Sequence, residues 1–411
     1  MNNAALLLPP MKFGKDLADN LKILPEYDRG MRYQSAAERL IALNNLYRIF
    51  LPSEMSTEIY NRLYLALLRS LDKKYTRLSV RQQYENRKCI QQKEYESVIG
   101  GSDSFTIIGV SGIGKSSSIS RAVSVITDGG IIELVNPRAR IIPCVTVQCP
   151  WDSSVKGLLL EILRKVDEIL GSTYYESALR ARATADMLIG SVSQVALNNI
   201  GILIVDEIQN VCRGRNGKGL VGMLTQLINN SGISIAMVGT PECSPFFEKE
   251  LQLARRSIGL KYSALQYGEY FHELCRTLLS YQYTAETIPV TDGIIEWLYE
   301  HSAGITSVVV SLVHDAQEIA ITTGVEKLTP EIMNTAYLKH LGKLHGYIAP
   351  DSGRVRPLRP LYKEKIPSNL DNERGIESDN LIYKTMLTAK EKHCDFIGVL
   401  KNSIAVEEVK L

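Results

Sequence analysis

Between Gly109 and Ser116 the chain reads GVSGIGKS, which satisfies the pattern G-x-x-x-x-G-K-[ST] at every fixed position. The pattern constrains the fold because it works only on a turn that joins a buried strand to a helix. Its flanks meet that demand: Phe105 to Ile108 is apolar and short enough for a buried strand, and Ser117 to Ile126 carries a helical period. In such a P-loop, Gly109, Gly112 and Gly114 let backbone N–H groups approach a phosphate. Ile113 and Ser117 belong to the same cradle, and the start of the helix adds partial positive charge. Lys115 would reach the β- and γ-phosphates of a nucleotide, and the Ser116 hydroxyl would ligate Mg²⁺.

A second stretch, GILIVDEIQN from Gly201 to Asn210, runs four apolar residues, Ile202 to Val205, straight into Asp206 and Glu207. Taken alone, two acids after a buried strand are either a catalytic pair or a solvated strand end. Downstream of a P-loop the pair reads as a Walker B strand, with Asp206 holding Mg²⁺ and Glu207 polarising the attacking water. The expected ligands are therefore ATP and Mg²⁺.

The 411 residues call for two or three domains, and 45% hydrophobic with 22% charged residues is ordinary for a soluble protein with a sizeable core. A net charge of +2 names no partner, so any nucleic-acid contact must rest on local clustering. Seven cysteines without a C-x-x-C pair and six scattered histidines predict reduced thiols and no structural metal. No apolar run approaches the roughly 18 residues of a membrane span, so no membrane contact and a cytoplasmic location are expected.

Along the chain, Pro9, Pro10 and Pro25 among mixed charges predict an extended N-terminal arm over 1–34. A helical region, 35–100, follows, and its Arg69–Lys93 stretch holds eight bases against Asp72 and Glu85. Lys73, Lys74, Arg77, Arg81, Arg87 and Lys88, with Tyr75 and Tyr84 interleaved, are either a phosphate-contacting patch on duplex DNA or a solvated helix face. From 101 to 267 strands alternate with helices, which implies a parallel sheet covered on both faces. A helical stretch is expected over Tyr174–Leu197. The loop Arg213–Gly219, with Arg213, Arg215 and Lys218, either touches DNA or is plain surface. Strand Ile233–Val238 ends at Gly239 and Thr240, where Thr240 either senses the γ-phosphate or caps the turn before Pro241. Arg255 and Arg256 follow the next helix. Residues 268–346 read as a small all-helical lid, and 347–411 as a proline-containing tail.

Together, the P-loop, the DE pair, the strand ending in Gly-Thr, the Arg pair and the helical lid resemble the AAA+ ATPases. The fold class that follows is an α/β AAA+ P-loop NTPase with a helix-flanked parallel sheet and a helical lid. The helix within WDSSVKGLLLEILRKVDEIL looks like the initiator branch of that class. Over about 35–345 the chain resembles the TnsC/TniB regulators of transposition, related in role to MuB, through GVSGIGKS, PWDSSVKGLLLEIL, LIVDEIQN and MVGTPE. That resemblance implies a homo-oligomeric ring or filament on double-stranded DNA, with a transposase and a target-selection protein as partners. It also implies an arginine finger at Arg255 or Arg256, the other reading being a surface pair at a helix end. The G-x-x-R of AAA+ lids is replaced here by Gly304, Ile305, Thr306 and Ser307, so an isolated subunit is expected to hydrolyse ATP poorly. Two alternatives remain: a replication initiator or helicase loader, and an NTPase switch of signalling or secretion without DNA contact.

Overall fold

The computed structural model describes residues 5–100, 104–127, 130–135, 138–213, 217–244 and 259–341. Within it, the apolar runs of the sequence become strands that bury both faces. Ile202 and Ile204 lie with Ala236, Val238, Phe105 and Ile107 on one side of the sheet. Leu203 and Val205 lie with Ile235, Met237 and Ile108 on the other. A strand buried on both faces needs no polar alternation, which is why these segments read as continuous apolar runs.

The strands are β1 (Ser104–Gly109), β2 (Ile132–Leu134), β3 (Ala139–Gln148), β4 (Ile200–Asp206), β5 (Ser234–Gly239) and β6 (Leu260–Tyr262). Their order is β2-β3-β4-β5-β1-β6, all pairings being parallel except the β2–β3 edge. β5 thus lies between β1 and β4, so its carboxyl end falls between the P-loop and the Asp206–Glu207 turn. The expected parallel sheet is present; the short antiparallel β2 is an addition to it.

Before β1 come helices α1 (Gly14–Leu21), α2 (Ala36–Leu43), α3 (Glu54–Lys73) and α4 (Arg77–Ile90). α5 (Lys115–Thr127) leads out of the P-loop and packs with α3 and α1 on one face of the sheet. α6 (Val155–Leu170), α7 (Tyr174–Arg180), α8 (Ala185–Asn199), α9 (Asn210–Arg213) and α10 (Gly217–Ser231) follow, with α6, α8 and α10 covering the opposite face. The helical stretch expected over 174–197 consists of two helices, because the chain turns at Arg182 with φ +47° and restarts at Thr184, whose side chain caps α8. The lid is α11 (Glu269–Ser280), α12 (Asp292–Ser302), α13 (Thr306–Thr322) and α14 (Pro330–Ala336), closing in a π-helical turn, Tyr337–Leu341. Thr329 caps α14 and Pro330 opens it. No described helix is long and apolar enough to cross a membrane.

The extended arm expected over 1–34 is corrected by the structure. α1 buries Leu17 and Leu21 against the α3–α5 layer, Tyr64 donates to the Pro9 carbonyl at 2.7 Å, and Arg121 of α5 donates to the Leu21 carbonyl at 2.8 Å. The prolines stop helices without preventing packing, since a coil whose polar groups find partners can be covered. Residues further on join the lid: Leu43, Leu46 and Leu51 share its core, Tyr281 donates to the Pro25 carbonyl, and Arg39 grips Glu326 with both guanidinium ends, one bond at 2.7 Å. The segment before β1 therefore belongs to two layers, one on the sheet and one on the lid. Arg255, Arg256, Arg215, the Arg213 side chain and the tail lie outside the described residues.

Candidate functional site

The P-loop turns on two glycines in the left-handed region, Gly112 at φ +83° and Gly114 at φ +95°, where side-chain-bearing residues are strained. Gly109 is in close quarters instead: a Cβ there would sit 2.6 Å from Ile113 Cδ1 and 3.0 Å from the Tyr262 carbonyl oxygen, a backbone atom that cannot simply swing aside. α5 begins at Lys115, so the loop delivers the orphan N–H groups of a helix start to the cleft. Lys115 Nζ donates to the carbonyls of Gly109 at 2.7 Å and Val110 at 2.9 Å. Burial lowers its pKa, with the nearby carboxylates of Asp206 and Glu207 acting in the opposite direction.

Ser116 Oγ donates to Asp206 Oδ2 at 3.1 Å, which joins the P-loop to the end of β4. A hydroxyl and a carboxylate meeting at one point are the hard oxygen donors that suit Mg²⁺. Glu207 follows with φ +56°, and its N–H donates to Asp206 Oδ1 at 2.8 Å. Gln209 donates to Glu207 Oε2 and accepts from the Thr240 N–H at 3.3 Å. Thr240 Oγ1 is buried with no hydrogen-bond partner among the described residues. Gly112, Gly114, Lys115, Ser116, Ser117, Asp206, Glu207 and Thr240 therefore line one cleft of about 250 Å³, while Gly109 and Ile113, expected in the cradle, are not among its lining residues.

Beside that cleft lies a larger cavity of about 560 Å³ that the sequence did not reveal. Its walls come from Ile49, Phe50, Leu51 and Met55, from the P-loop, from Tyr262 at the end of β6, and from Leu265 and Val310 of the lid side. It shares Gly112, Gly114, Ser117 and Ser307 with the phosphate cleft, so a flat apolar group could lie here with its phosphates in the P-loop. The available signal was the apolar strip Ile49–Leu51 ending at Pro52, which is extended and paired to Ile23 rather than helical. Ser307 opens α13 and its N–H donates to the Gly112 carbonyl at 2.9 Å, so the lid position expected for an arginine meets the P-loop with a hydroxyl.

The basic patch lies elsewhere. α4 packs on α8 and exposes Arg77, Arg81, Arg87 and Tyr84, with Lys88 paired to Glu85 at 2.9 Å and standing over the Tyr84 ring. Lys73 Nζ donates to the Gly100 carbonyl at 3.2 Å. Lys74 is a correction: it is 1% exposed and donates to the carbonyls of Ala196 and Leu197 at 2.9 and 2.8 Å. It closes the last turn of α8 rather than facing a phosphate, and burial lowers its pKa to about 7. A count of charges along the chain cannot see that the end of α8 arrives at this point.

Residues 99–247 match the AAA domain family. No curated protein matches the chain. Among solved structures, the chain is similar to the Aeropyrum pernix ORC1 protein in complex with DNA, at 14% identity and a TM-score of 0.41, covering 65% of this chain and 65% of that one, just under two thirds. It is similar to Drosophila ORC bound to DNA at 12% identity and 0.44, over 97% and 82% of the two chains. A Walker-type ATPase of Pyrococcus abyssi gives 13% identity and 0.40, over 65% and 73%. The sheet, the P-loop and the family match make the central part of the chain an AAA-type P-loop ATPase domain.

Proposed function

We propose that this AAA-type P-loop ATPase binds and hydrolyses ATP in the cleft between β1, β4 and β5, and that its nucleotide state governs assembly on duplex DNA. One observation carries the ATPase reading: the Ser116 hydroxyl and the Asp206 carboxylate meet at 3.1 Å, with Glu207 one residue beyond. Lys115, now held by two carbonyls, would exchange them for oxygens of the β- and γ-phosphates. Ser116 and Asp206 would hold Mg²⁺, which neutralises charge on the phosphates. Glu207 would orient the attacking water and accept its proton, while the unpartnered Thr240 hydroxyl would donate to the γ-phosphate. With Ser307 in place of a lid arginine, the transferring phosphoryl group needs a cation from a neighbouring copy, the role proposed for Arg255 or Arg256. This supports a homo-oligomeric ring or filament.

For DNA, the exposed bases of α4 supply backbone contacts without a base-reading pattern, which supports sequence-independent binding. The motifs resembling TnsC/TniB support the finer reading: a cytoplasmic regulator of transposition that uses hydrolysis as a timer and connects target selection to a transposase. The tail over 347–411 would be the tether for a protein partner. Electron microscopy with ATP, with and without duplex DNA, tests the assembly. Rings or filaments on unrelated duplexes are expected. Binding confined to one specific sequence would favour the initiator, and no association with DNA would leave an ATPase switch.

A further inference from the structure

Gln209 occupies an unusual place in the turn after β4. The left-handed φ of +56° at Glu207 is strained for a residue with a side chain. It lets Ile208 plunge into the core, with its N–H donating to the Val238 carbonyl at 2.9 Å, and brings Gln209 back against the end of β5. There Gln209 is 7% exposed and both ends of its amide are used. Nε2 donates to Glu207 Oε2, and Oε1 accepts from the Thr240 N–H at 3.3 Å. The space for that amide exists because residue 239 is glycine: a Cβ there would come within 2.9 Å of Gln209 Oε1 and 2.8 Å of Ile208 Cγ2.

Resting on the ATPase reading above, we propose that Gln209 is a positioning residue that links Glu207 to Thr240, so that the strand end facing the γ-phosphate sets the orientation of the carboxylate that takes the proton from water. An amide is suited to this task because it presents a donor at one end and an acceptor at the other in one rigid plane. By holding Oε2, Gln209 leaves Glu207 Oε1 for the water. A movement of Thr240 toward a bound phosphate is carried through the amide to Glu207, and withdrawal of that phosphate lets the carboxylate return. Gln209 touches neither nucleotide nor water in this scheme; it acts through Glu207.

The test compares Gln209→Glu with Gln209→Met. Both keep the side chain's length, but an ionised Glu offers no donor to Glu207, and Met offers no donor and only a weak sulfur acceptor. ATP turnover is measured beside the affinity for ADP and the thermal midpoint. Both variants should lose about 10- to 100-fold in kcat, the usual scale for partners that orient a reacting group. Nucleotide affinity should stay at the wild-type value, a split that a packing role would not produce. Wild-type kcat in either folded variant overturns the proposal, as does a loss of affinity that accounts for the loss of rate. A wild-type chain that turns over no ATP, alone or with DNA, overturns the ATPase reading and this inference with it. Turnover in the wild type, abolished by Glu207→Gln but untouched in both Gln209 variants, overturns the inference alone.

Discussion

At the carboxyl ends of the strands Lys115, Ser116, Asp206 and Thr240 converge in one cleft, whereas at the amino ends α4 spreads Arg77, Arg81 and Arg87 along an exposed face. The placement of α4 is clear from its anchors: Asn86 donates to the Asn230 carbonyl before β5, and Tyr75 and Lys74 bind the last carbonyls of α8 before β4. A seven-residue strand such as β4 spans roughly 20 Å, which separates the two regions. The cleft is made by short-range backbone constraint, with glycines and Glu207 held at positive φ and strand ends fixed in a sheet. The α4 face depends on which side of a helix remains outside after packing. Chemistry that needs fixed geometry suits the first kind of region, and the proposed contact with a uniform polyanion suits the second.

The largest expected effect asks whether the cleft is complete within one chain. Replacing Arg255 and Arg256 by Ala should leave ATP binding intact and reduce DNA-stimulated hydrolysis by about 10³ to 10⁵. Mixing that variant with Lys115→Ala should restore activity, since some interfaces then pair an intact P-loop with an intact finger. Co-assembly without recovery would place the missing cation within the chain.

Next in size, the members of the cleft should separate by role. Lys115→Ala should abolish nucleotide binding, and Glu207→Gln should keep binding while lowering kcat by about 10² to 10⁴. Filter binding and turnover measured on the same preparations decide this; equal loss of binding in both would remove Glu207 from the role of base.

A third experiment sharpens the contrast by way of Lys74, which belongs to the basic run in sequence but to the core in structure. Its folded pKa is about 7, below the ordinary lysine value of about 10.4. Below about 7 both folded and unfolded chains carry this proton; between the two values only the unfolded chain does. Stability should therefore rise with pH across that window, by at most about 1.4 kcal/mol per pH unit. Urea denaturation from pH 7 to 10 should show the rise in the wild type and lose this component in Lys74→Met, while DNA affinity stays the same.

The smallest effect concerns α4 itself. Neutralising Arg77, Arg81 and Arg87 together should weaken binding equally for unrelated duplexes and flatten the salt dependence by about 0.9 for each phosphate that α4 no longer neutralises. ATP affinity, measured without DNA at the other end of the sheet, should not change. An unchanged salt slope would move the DNA-binding face off this helix.

The sequence made the cleft legible because its parts are local. The GVSGIGKS spacing, an apolar run ending in two acids and a strand ending in Gly-Thr each carry their geometry within a few residues. Parts assembled from distant segments were not legible. The 560 Å³ cavity needs Ile49–Met55, β6 and the lid to come together, and no single segment signals it. The packing of residues 5–34 was hidden by their prolines, and the burial of Lys74 by the charges around it. Gln209 stands among other polar residues, Glu207 and Asn210, so nothing in the turn's sequence singles it out, and its link to Thr240 requires the pairing of β4 with β5.

The proposed communication between the two ends of the sheet is tested most directly by fluorescence anisotropy of labelled duplex DNA. Affinity would be measured with a slowly hydrolysed ATP analogue and with ADP, on two duplexes of unrelated sequence at one salt concentration. Binding should be tighter with the analogue, by the same factor on both duplexes, with no nucleotide effect in Lys115→Ala. Equal affinity in the two nucleotide states would contradict the proposed communication.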